Sequence, residues 1–246
     1  MFCKREVCEY ILTQTSRIAG QQFSGGKIMN KYDYIIRLEE PKDYRAVENL
    51  TREAFWNQNV PGCDEHYLVH KMRSHEDFIP ELAFVLECDG EIVGNIMYTK
   101  ANLVDEAGNR KPILSFGPVS VLPACQRKGY GKALIEYSCE KAVSMGYDTI
   151  VIFGNPDNYV SRGFKSCKKY NVCLESGIFP ASLMVKELTD GVLDGRRWCF
   201  HESSVGEVCS DEAAAAAFDA TFPYKEKCWR PSQEEFYIHS HSVVSR

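Results

Sequence analysis

The chain has 246 residues, of which 44% are hydrophobic and 26% charged, and its formal net charge is −5. These proportions are those of a folded globular protein with one core and room for an appendage. The negative charge argues against a general nucleic-acid binder, which would show a basic face, and no stretch approaches the roughly 20 apolar residues of a membrane span.

The eleven cysteines are scattered, odd in number, and never arranged as a C-x-x-C pair. The first residues do not form a signal peptide, because Lys4, Arg5 and Glu6 interrupt them and no long apolar run follows. We therefore expect reduced thiols in a cytoplasmic protein, without a disulfide framework or a metal site.

The chain opens with residues 1–28, which are polar and lack a clear hydrophobic period. A strand is predicted from Tyr32 to Leu38, so we expect the folded domain to begin at Met29. Residues 1–28 are predicted to be a disordered leader or the product of an upstream start codon. A short helix through Val7–Ile18 that docks on the domain is the alternative.

Two helices are predicted next. Pro41 suits the first turn of one helix, and Asp64 can cap a second that carries Leu68 and Met72. Here His66 and His70 are four residues apart, which is the spacing of two metal ligands. A convincing third ligand is missing, so we interpret them as surface or acceptor-site histidines.

A meander of strands follows. Strands are predicted over Ala83–Cys88 and Glu91–Lys100, joined by an Asp89-Gly90 turn, and over Ile113–Val121. Gly117-Pro118 lies inside the last of these. Because proline cannot donate a ladder hydrogen bond, the sheet must bulge or stop pairing there. The backbone groups left unpaired would suit a ligand that is itself a chain of amides.

The most informative stretch follows that strand. A basic loop with two spaced glycines leads directly into a helix predicted over Tyr130–Met145. Glycines allow an anion to approach the main chain, and a helix N-terminus attracts negative charge. We interpret the loop as a pyrophosphate cradle. The dinucleotide fingerprint fails because Leu134 replaces its third glycine, and the Walker pattern is absent.

A β-branched run, Asp148–Phe153, predicts a buried strand parallel to the one before the helix. Further strands are predicted through Val172 and Leu174 and over Pro180–Glu187. Residues 191–246 then form an extension, with a strand within Leu193–Phe200, a helix at Asp211–Phe218, and a capping-box pattern at Ser232–Glu235. Its many aromatics predict packing on the domain, or on the same segment of a second subunit in a homodimer.

The motif Gln126-Arg127-Lys128-Gly129-Tyr130-Gly131, followed by Tyr159…Gly163-Phe164, resembles the GNAT superfamily of N-acetyltransferases. The resemblance covers about residues 31–188 and implies an α/β (α+β) domain over residues 29–190. Its sheet would be mixed and mostly antiparallel, with a splayed parallel strand pair and flanking helices. Acetyl-CoA is the implied co-substrate, with its pantetheine arm in the gap between the splayed strands.

This resemblance implies functional roles for several residues. Tyr159 would protonate the departing thiolate. Val119 and Val121 would provide backbone contacts to the acetyl group and pantetheine, with one N–H as the oxyanion donor, and Asn155 would lie near the pantetheine arm. The pyrophosphate contacts would be Arg127, Lys128, Gly129, Tyr130, Gly131 and Lys132.

The implied reaction is direct acetyl transfer to the amine of a small molecule or peptide in a ternary complex. A catalytically silent acyl-CoA-binding or sensing module on the same fold is the alternative. The general base is open between Glu65, His66, Glu87 and an ordered water. Cys125 is rejected as a nucleophile, because it lacks a recognisable His/Asp arrangement and direct transfer needs no acyl-enzyme.

Overall fold

The computed structural model describes residues 28–29 and 34–245. The predicted leader, residues 1–28, lies outside this part except for Ile28, which pairs with Ile36. Six α-helices are found in the described residues: α1 (Tyr44–Phe55), α2 (Glu65–Met72), α3 (Tyr130–Ser144), α4 (Pro156–Tyr159), α5 (Glu212–Asp219) and α6 (Pro231–His241). The strands are β1 (Ile28–Met29), β2 (Tyr34–Leu38), β3 (Phe84–Cys88), β4 (Glu91–Ile96), β5 (Tyr98–Asp105), β6 (Arg110–Phe116), β7 (Ser120–Val121), β8 (Thr149–Phe153), β9 (Lys165–Ser166), β10 (Val172–Cys173), β11 (Leu183–Glu187) and β12 (Trp198–His201).

The strands form two sheets. The first has the order β1-β2-β3-β4-β7, and the second has the order β10-β12-β5-β6-β8-β11-β9. The pairs β6–β8 and β10–β12 are parallel, and the other pairs are antiparallel. The predicted α/β class with a mixed, mostly antiparallel sheet is confirmed. The sheet is divided in two rather than continuous.

The division occurs where the chain passes from one sheet to the other. Gly117-Pro118 ends β6, and β7 then pairs with β4 in the first sheet. The strand predicted over Glu91–Lys100 is likewise two strands, which separate at Met97, whose carbonyl accepts the Gly117 N–H at 3.0 Å. The strand predicted over Ile113–Val121 is thus divided: β6 pairs in parallel with β8 at Leu114 and Ile150, whereas β7 lies in the other sheet.

Helices cover the sheets on two sides. Helix α3 packs on the larger core, where Leu134, Ile135 and Ala142 meet the first sheet and the adjoining face of β8. Helices α1 and α2 pack on another core cluster through Val47, Val69 and Met72. None of the helices in residues 34–245 combines the length and the hydropathy required for a membrane-spanning segment.

The C-terminal residues are hydrogen-bonded into the fold. Strand β12 pairs antiparallel with β5, so the second sheet crosses the boundary expected at residue 190. The capping-box prediction at Ser232–Glu235 is wrong. The N-cap of helix α6 is Arg230, two residues earlier, with Pro231 in the first helical position, and the Ser232 hydroxyl donates to the Gln58 carbonyl at 2.9 Å.

One ion pair anchors the segment between β12 and α6. The Arg52 side chain is 2% exposed, and its Nε donates to Asp219 Oδ1 at 2.6 Å. The guanidinium also lies 4.3 Å from the centre of the Trp56 ring. Since Arg52 has almost no access to water, the Asp219 carboxylate is the main compensation for its charge.

Replacing Asp219 with Asn should therefore lower the free energy of unfolding by about 3 kcal/mol, because Arg52 keeps its charge without a counter-ion. Urea unfolding at neutral pH measures the change. Glu226→Gln is the matched control, because this exposed carboxylate has no ion pair in the described structure, and it should stay within about 0.5 kcal/mol of the parent. Equal losses in the two variants would contradict the anchoring role.

Candidate active site

A cleft of about 360 Å³ opens between β7, the N-terminus of α3 and α4. The loop residues, the strand and the tyrosine that the sequence singled out face one another across it. Its lining residues are Gln58, Val119, Val121, Cys125, Gln126, Arg127, Gly129, Tyr130, Gly131, Lys132, Ile135, Asn158, Tyr159 and Arg162.

The floor of the cleft is the start of α3. Gly129 is the N-cap, and its φ of +90° lies in the left-handed region that glycine adopts without strain. The first N–H groups of a helix have no intrahelical acceptor, and they carry the positive end of its dipole. Arg127 and Lys132 add two full charges beside them. This end of the cleft is suited to an anion.

Gly131 keeps this end open. A Cβ at this position would point toward the cleft and come no closer than 3.7 Å, to Val121 Cγ2. The backbone therefore tolerates a side chain here, but the cleft would be narrowed. Gln126 connects the loop to the strand, because its Nε2 donates to the Val121 carbonyl at 3.1 Å.

One edge of β7 faces the cleft and has no neighbouring strand among the described residues. The Leu122 N–H donates to Val93 at 2.9 Å, and Ser120 pairs with Asn95, so these residues direct their backbone groups toward β4. Backbone groups alternate in direction along a strand. The N–H groups of Val119 and Val121 therefore point away from β4, toward the cleft.

A buried polar contact holds β7 in place behind this edge. The Ser120 hydroxyl donates to Thr51 Oγ1 at 3.2 Å, and Thr51 is 3.4 Å from Asn95 Oδ1. All three residues are at most 1% exposed. The contact ties β7 and β4 to α1 on the side opposite the cleft.

Tyr159 closes α4 at the other wall. Its ring packs between Phe116 and Phe164, at centroid distances of 5.8 and 5.6 Å, and it lies over Gly154, where a Cβ would overlap the ring. Burial raises the pKa of Tyr159 to about 12, and no hydrogen bond from a described residue offsets this. The hydroxyl is consequently protonated at neutral pH and able to donate.

Two predicted residues do not line the cleft. Lys128 is exposed on the loop, and the Asn155 side chain accepts the Asp157 N–H at 3.0 Å as the N-cap of α4. Asn158 and Arg162 line the wall in their place. The buried Nε of Arg162 has no hydrogen-bond acceptor among the described residues. Sequence reasoning missed both residues, although Asn158 directly precedes Tyr159 and Arg162 directly precedes Gly163.

The comparisons with known proteins identify the family. The sequence model of the Acetyltransferase (GNAT) family matches residues 47–166. The uncharacterized N-acetyltransferase YjhQ of Escherichia coli (strain K12) is 30% identical over 140 residues, which are 56% of this chain and 74% of YjhQ. The chain belongs to the GNAT family of acetyltransferases. The uncharacterized N-acetyltransferase YhbS of the same strain is 25% identical over 162 residues, 65% of this GNAT chain and 91% of YhbS.

Solved structures share the GNAT fold. YhbS from Escherichia coli, in complex with CoA, superposes with a TM-score of 0.61 at 20% identity and covers 73% of this chain and 95% of its own. A GNAT family acetyltransferase from Brucella melitensis, in complex with acetyl-CoA, has a TM-score of 0.52 at 23% identity, over 70% of this chain and 97% of its own. The predicted family and fold are thus confirmed, and this GNAT chain is an acetyltransferase.

The three candidate bases of this GNAT acetyltransferase have different surroundings. Glu87 accepts from Arg37 Nε at 3.0 Å and is occupied by that ion pair. Burial raises the pKa of Glu65 to about 7, and its carboxylate accepts from Asn59 Nδ2 at 2.8 Å, next to the cleft residue Gln58. Of the two carboxylates, Glu65 is the one suited to exchange a proton near neutral pH.

His66 is enclosed rather than facing the cleft. Its side chain is 0% exposed, with Nε2 at 3.1 Å from Asp219 Oδ1 and the rings of Phe218 and Phe222 at 5.5 and 5.2 Å. Burial lowers its pKa to about 4. His70 is 2.9 Å from Glu48 Oε1, so the two histidines have separate partners. Within residues 34–245, three or more potential metal-ligating side chains are nowhere grouped together.

The low pKa of His66 predicts a pH-dependent stability. Between pH 6.5 and about 4, the unfolded chain protonates this histidine and the folded chain does not, so stability falls as the pH falls. His66→Gln should reduce that fall by up to about 3 kcal/mol. Urea unfolding at several pH values tests this, with the exposed His241→Gln as control. Parallel pH profiles for His66→Gln and the parent would contradict it.

Proposed function

We propose that this protein transfers an acetyl group from acetyl-CoA to the amine of a small molecule or peptide, by direct attack in a ternary complex. The observation that carries the proposal is the single cleft that joins a helix N-terminus, an unpaired strand edge and a protonated tyrosine. These three features suit, in turn, a pyrophosphate, a chain of amide groups and a leaving thiolate.

The pyrophosphate fits the start of α3. The N–H groups of its first turn, together with Arg127 and Lys132, offer charge-assisted hydrogen bonds. Lys128, on the same loop, remains a proposed contact through its charge. The Nε of Arg162 is a further donor, for which residues 34–245 supply no acceptor. That CoA and acetyl-CoA accompany two proteins of the same fold supports the choice of ligand.

Acetyl-CoA supplies the acetyl thioester, and the edge of β7 supplies donors for it. Val119 and Val121 direct their N–H groups toward the cleft, because Ser120 and Leu122 pair with β4. These groups are fixed by the sheet before any ligand binds. They can therefore pair with pantetheine amides and stabilise the oxyanion with little reorganisation.

Tyr159 is the proposed general acid. Its raised pKa keeps the hydroxyl protonated at neutral pH, so it can donate to the sulfur while negative charge develops on the departing thiolate. The ring contacts with Phe116 and Phe164 fix its direction. Arg162 lies on the same wall and lowers the tyrosine pKa in part, so it favours negative charge at this position.

The attacking amine must lose a proton, since free alkyl amines have pKa values near 10. Glu65 is the proposed base or the anchor of an ordered water, because its pKa is near neutrality and it lies one hydrogen bond from the loop that carries Gln58. Glu87 and His66 are less suited, the first because of its ion pair and the second because of its enclosure.

The C-terminal segment is proposed to bound the acceptor opening of a domain that spans residues 29–190. Helix α6 is fixed at its start to Gln58 and Asn57, and the residues after it bond to Phe179 and Ala181. It thus spans from the cleft residue Gln58 to the loop before β11.

The nine cysteines of the described residues are unpaired, which supports a cytoplasmic site of action.

Gly131→Val tests the pyrophosphate site. The new side chain points into the cleft without a backbone clash, so acetyl-CoA binding should weaken by a factor of ten or more, about 1.4 kcal/mol. Isothermal titration calorimetry measures the dissociation constant. Gly206→Val is the matched control, since a Cβ there meets nothing within 4 Å and the residue does not line the cleft. Unchanged affinity in a folded Gly131→Val protein would sink the proposal.

Tyr159→Phe separates an enzyme from a silent binding module. The variant keeps the ring packing and loses only the hydroxyl, so turnover should fall by about 10²–10⁴-fold while acetyl-CoA affinity stays within about twofold. Release of CoA thiol in the presence of an amine panel gives turnover, and calorimetry gives affinity. Equal turnover in both proteins would return Tyr159 to a packing role. Binding without turnover in the parent would favour the sensor.

A further inference from the structure

Two cysteines lie side by side on neighbouring strands of the second sheet. Strand β10 pairs in parallel with β12, and in this register Val172 is opposite Trp198 and Cys173 is opposite Cys199. Neighbouring strands are about 4.8 Å apart. This spacing falls within the roughly 4.4–6.8 Å between Cα atoms that a disulfide spans. The backbone pairing therefore brings the two thiols within reach of one bond.

The two thiols share one face of the sheet. Val172 and Trp198 belong to the core cluster, and side chains alternate between the two faces along a strand. Cys173 and Cys199 therefore point to the opposite face. The Cys173 thiol turns toward its neighbour, because it donates at 3.4 Å to the carbonyl of Trp198, whose peptide bond leads directly into Cys199.

A pocket of about 280 Å³ opens over this face, and both cysteines line it. We call it the thiol pocket. Its remaining lining residues come from the end of β5, from the segment after β10 and from the residue before β12: Val104, Asp105, Glu106, Leu174, Glu175 and Arg197. It shares no lining residue with the cleft at the start of α3. The thiol pocket is thus a separate site.

The two thiols differ in their access to solvent. Cys199 is half-buried, whereas Cys173 is only 3% exposed. A molecule in the thiol pocket can therefore reach Cys199 first, with Cys173 placed beside it to react second. This is the arrangement of an attacking thiol and a resolving thiol. Burial raises the pKa of Cys199 and Arg197 opposes that rise, so the attack is expected to be slow at neutral pH.

Arg197 supplies the positive charge of the thiol pocket. A cation beside a cysteine favours its thiolate, which is the form that reacts. Two carboxylates of the pocket have other partners: Asp105 is 3.0 Å from Arg196, and Glu175 is 3.1 Å from His201. These pairs reduce the negative potential that the two carboxylates would otherwise impose on the thiols.

We propose that Cys173 and Cys199 form a thiol–disulfide exchange site, which takes a low-molecular-weight disulfide such as glutathione disulfide as its substrate. The inference does not depend on acetyl transfer, since it concerns a different pocket. It assigns a chemical role to two cysteines that the proposed reaction does not use.

The exchange has two steps. The Cys199 thiolate attacks one sulfur of glutathione disulfide, one glutathione thiolate leaves, and a mixed disulfide remains on Cys199. The Cys173 thiolate then attacks the Cys199 sulfur, which forms the Cys173–Cys199 bond and expels the second glutathione. Two protein thiols are oxidised, one glutathione disulfide is reduced to two glutathione molecules, and the two thiol protons pass to them.

The bond would join two parts of the chain that are far apart in sequence. Cys173 lies in the domain expected over residues 29–190, and Cys199 lies in the C-terminal extension, at its first strand. A reducing cytoplasm keeps both thiols free, so the bond would form only when oxidised glutathione accumulates. It would then fasten the extension covalently to the domain.

The test incubates the full-length, folded protein with excess glutathione disulfide, alkylates the remaining thiols and digests the chain without reduction. Trypsin and Glu-C together separate Cys199 from Cys209, because Glu202 and Glu207 lie between them. Mass spectrometry should show the peptides of Cys173 and Cys199 joined by a disulfide, and the number of alkylated thiols should fall by two per chain.

Single variants separate the two steps. Cys173→Ser should stop at the first step, so that one glutathione stays attached to Cys199. Cys199→Ser should leave Cys173 free, because the buried thiol is not reached from solvent. Cys209→Ser is the matched control, since it removes another half-buried cysteine and should leave the Cys173–Cys199 bond unchanged.

The parent protein alone decides the matter, so the result does not depend on the folding of any variant. Free thiols at both Cys173 and Cys199 after incubation would overturn the inference. A bond from Cys199 to any other cysteine would overturn it too, as would a Cys173–Cys199 bond that forms only in urea. Formation of the bond in the folded chain, with its loss on addition of reduced glutathione, would support it.

Discussion

The break in pairing at Gly117-Pro118 is the constraint on which the site depends. Pro118 has no N–H to donate, so β6 cannot continue through it as a paired strand. A Cβ at Gly117 would lie 2.8 Å from Met72 Sδ, so the close approach of α2 requires glycine at the preceding position. The chain crosses to the first sheet, and β7 becomes an edge beside β4. An edge strand inside a protein leaves backbone donors unused, and here the N–H groups of Val119 and Val121 face a cleft rather than another strand.

The other parts of the site follow from that crossing. Because β7 is short, the loop that follows it leads into α3 at the cleft. Gln126 donates a hydrogen bond to the Val121 carbonyl and so holds the loop against the strand. Thr51, Ser120 and Asn95 hold the strand from behind. On the opposite wall, Gly154 gives the Tyr159 ring the space it occupies. The cleft is thus built from rigid elements, which suits a reaction whose donors must be in position in advance.

Part of the fold and of the site could be predicted from the sequence, because it depends on residues that are close together in the chain. The glycine loop, the helix after it and the strand-breaking proline each act within a few residues, and they led to the family and the fold. What could not be predicted depended on distant contacts. Asn155 caps α4 instead of facing the cleft, and Arg162 faces it instead. Ser232, expected to cap a helix, lies inside a helix that starts at Pro231 and donates its hydroxyl to the Gln58 carbonyl. The local sequence pattern does not show which distant residue a polar side chain will hydrogen-bond.

Hydrogen–deuterium exchange at single backbone amides, followed by NMR with and without acetyl-CoA, tests whether the edge of β7 pairs with the cofactor. Acetyl-CoA should slow exchange at Val119 and Val121, whose N–H groups face the cleft. Ser120 and Leu122, already paired with β4, should change little and serve as internal controls. Bound acetyl-CoA that leaves the exchange of Val119 and Val121 unchanged would contradict the account.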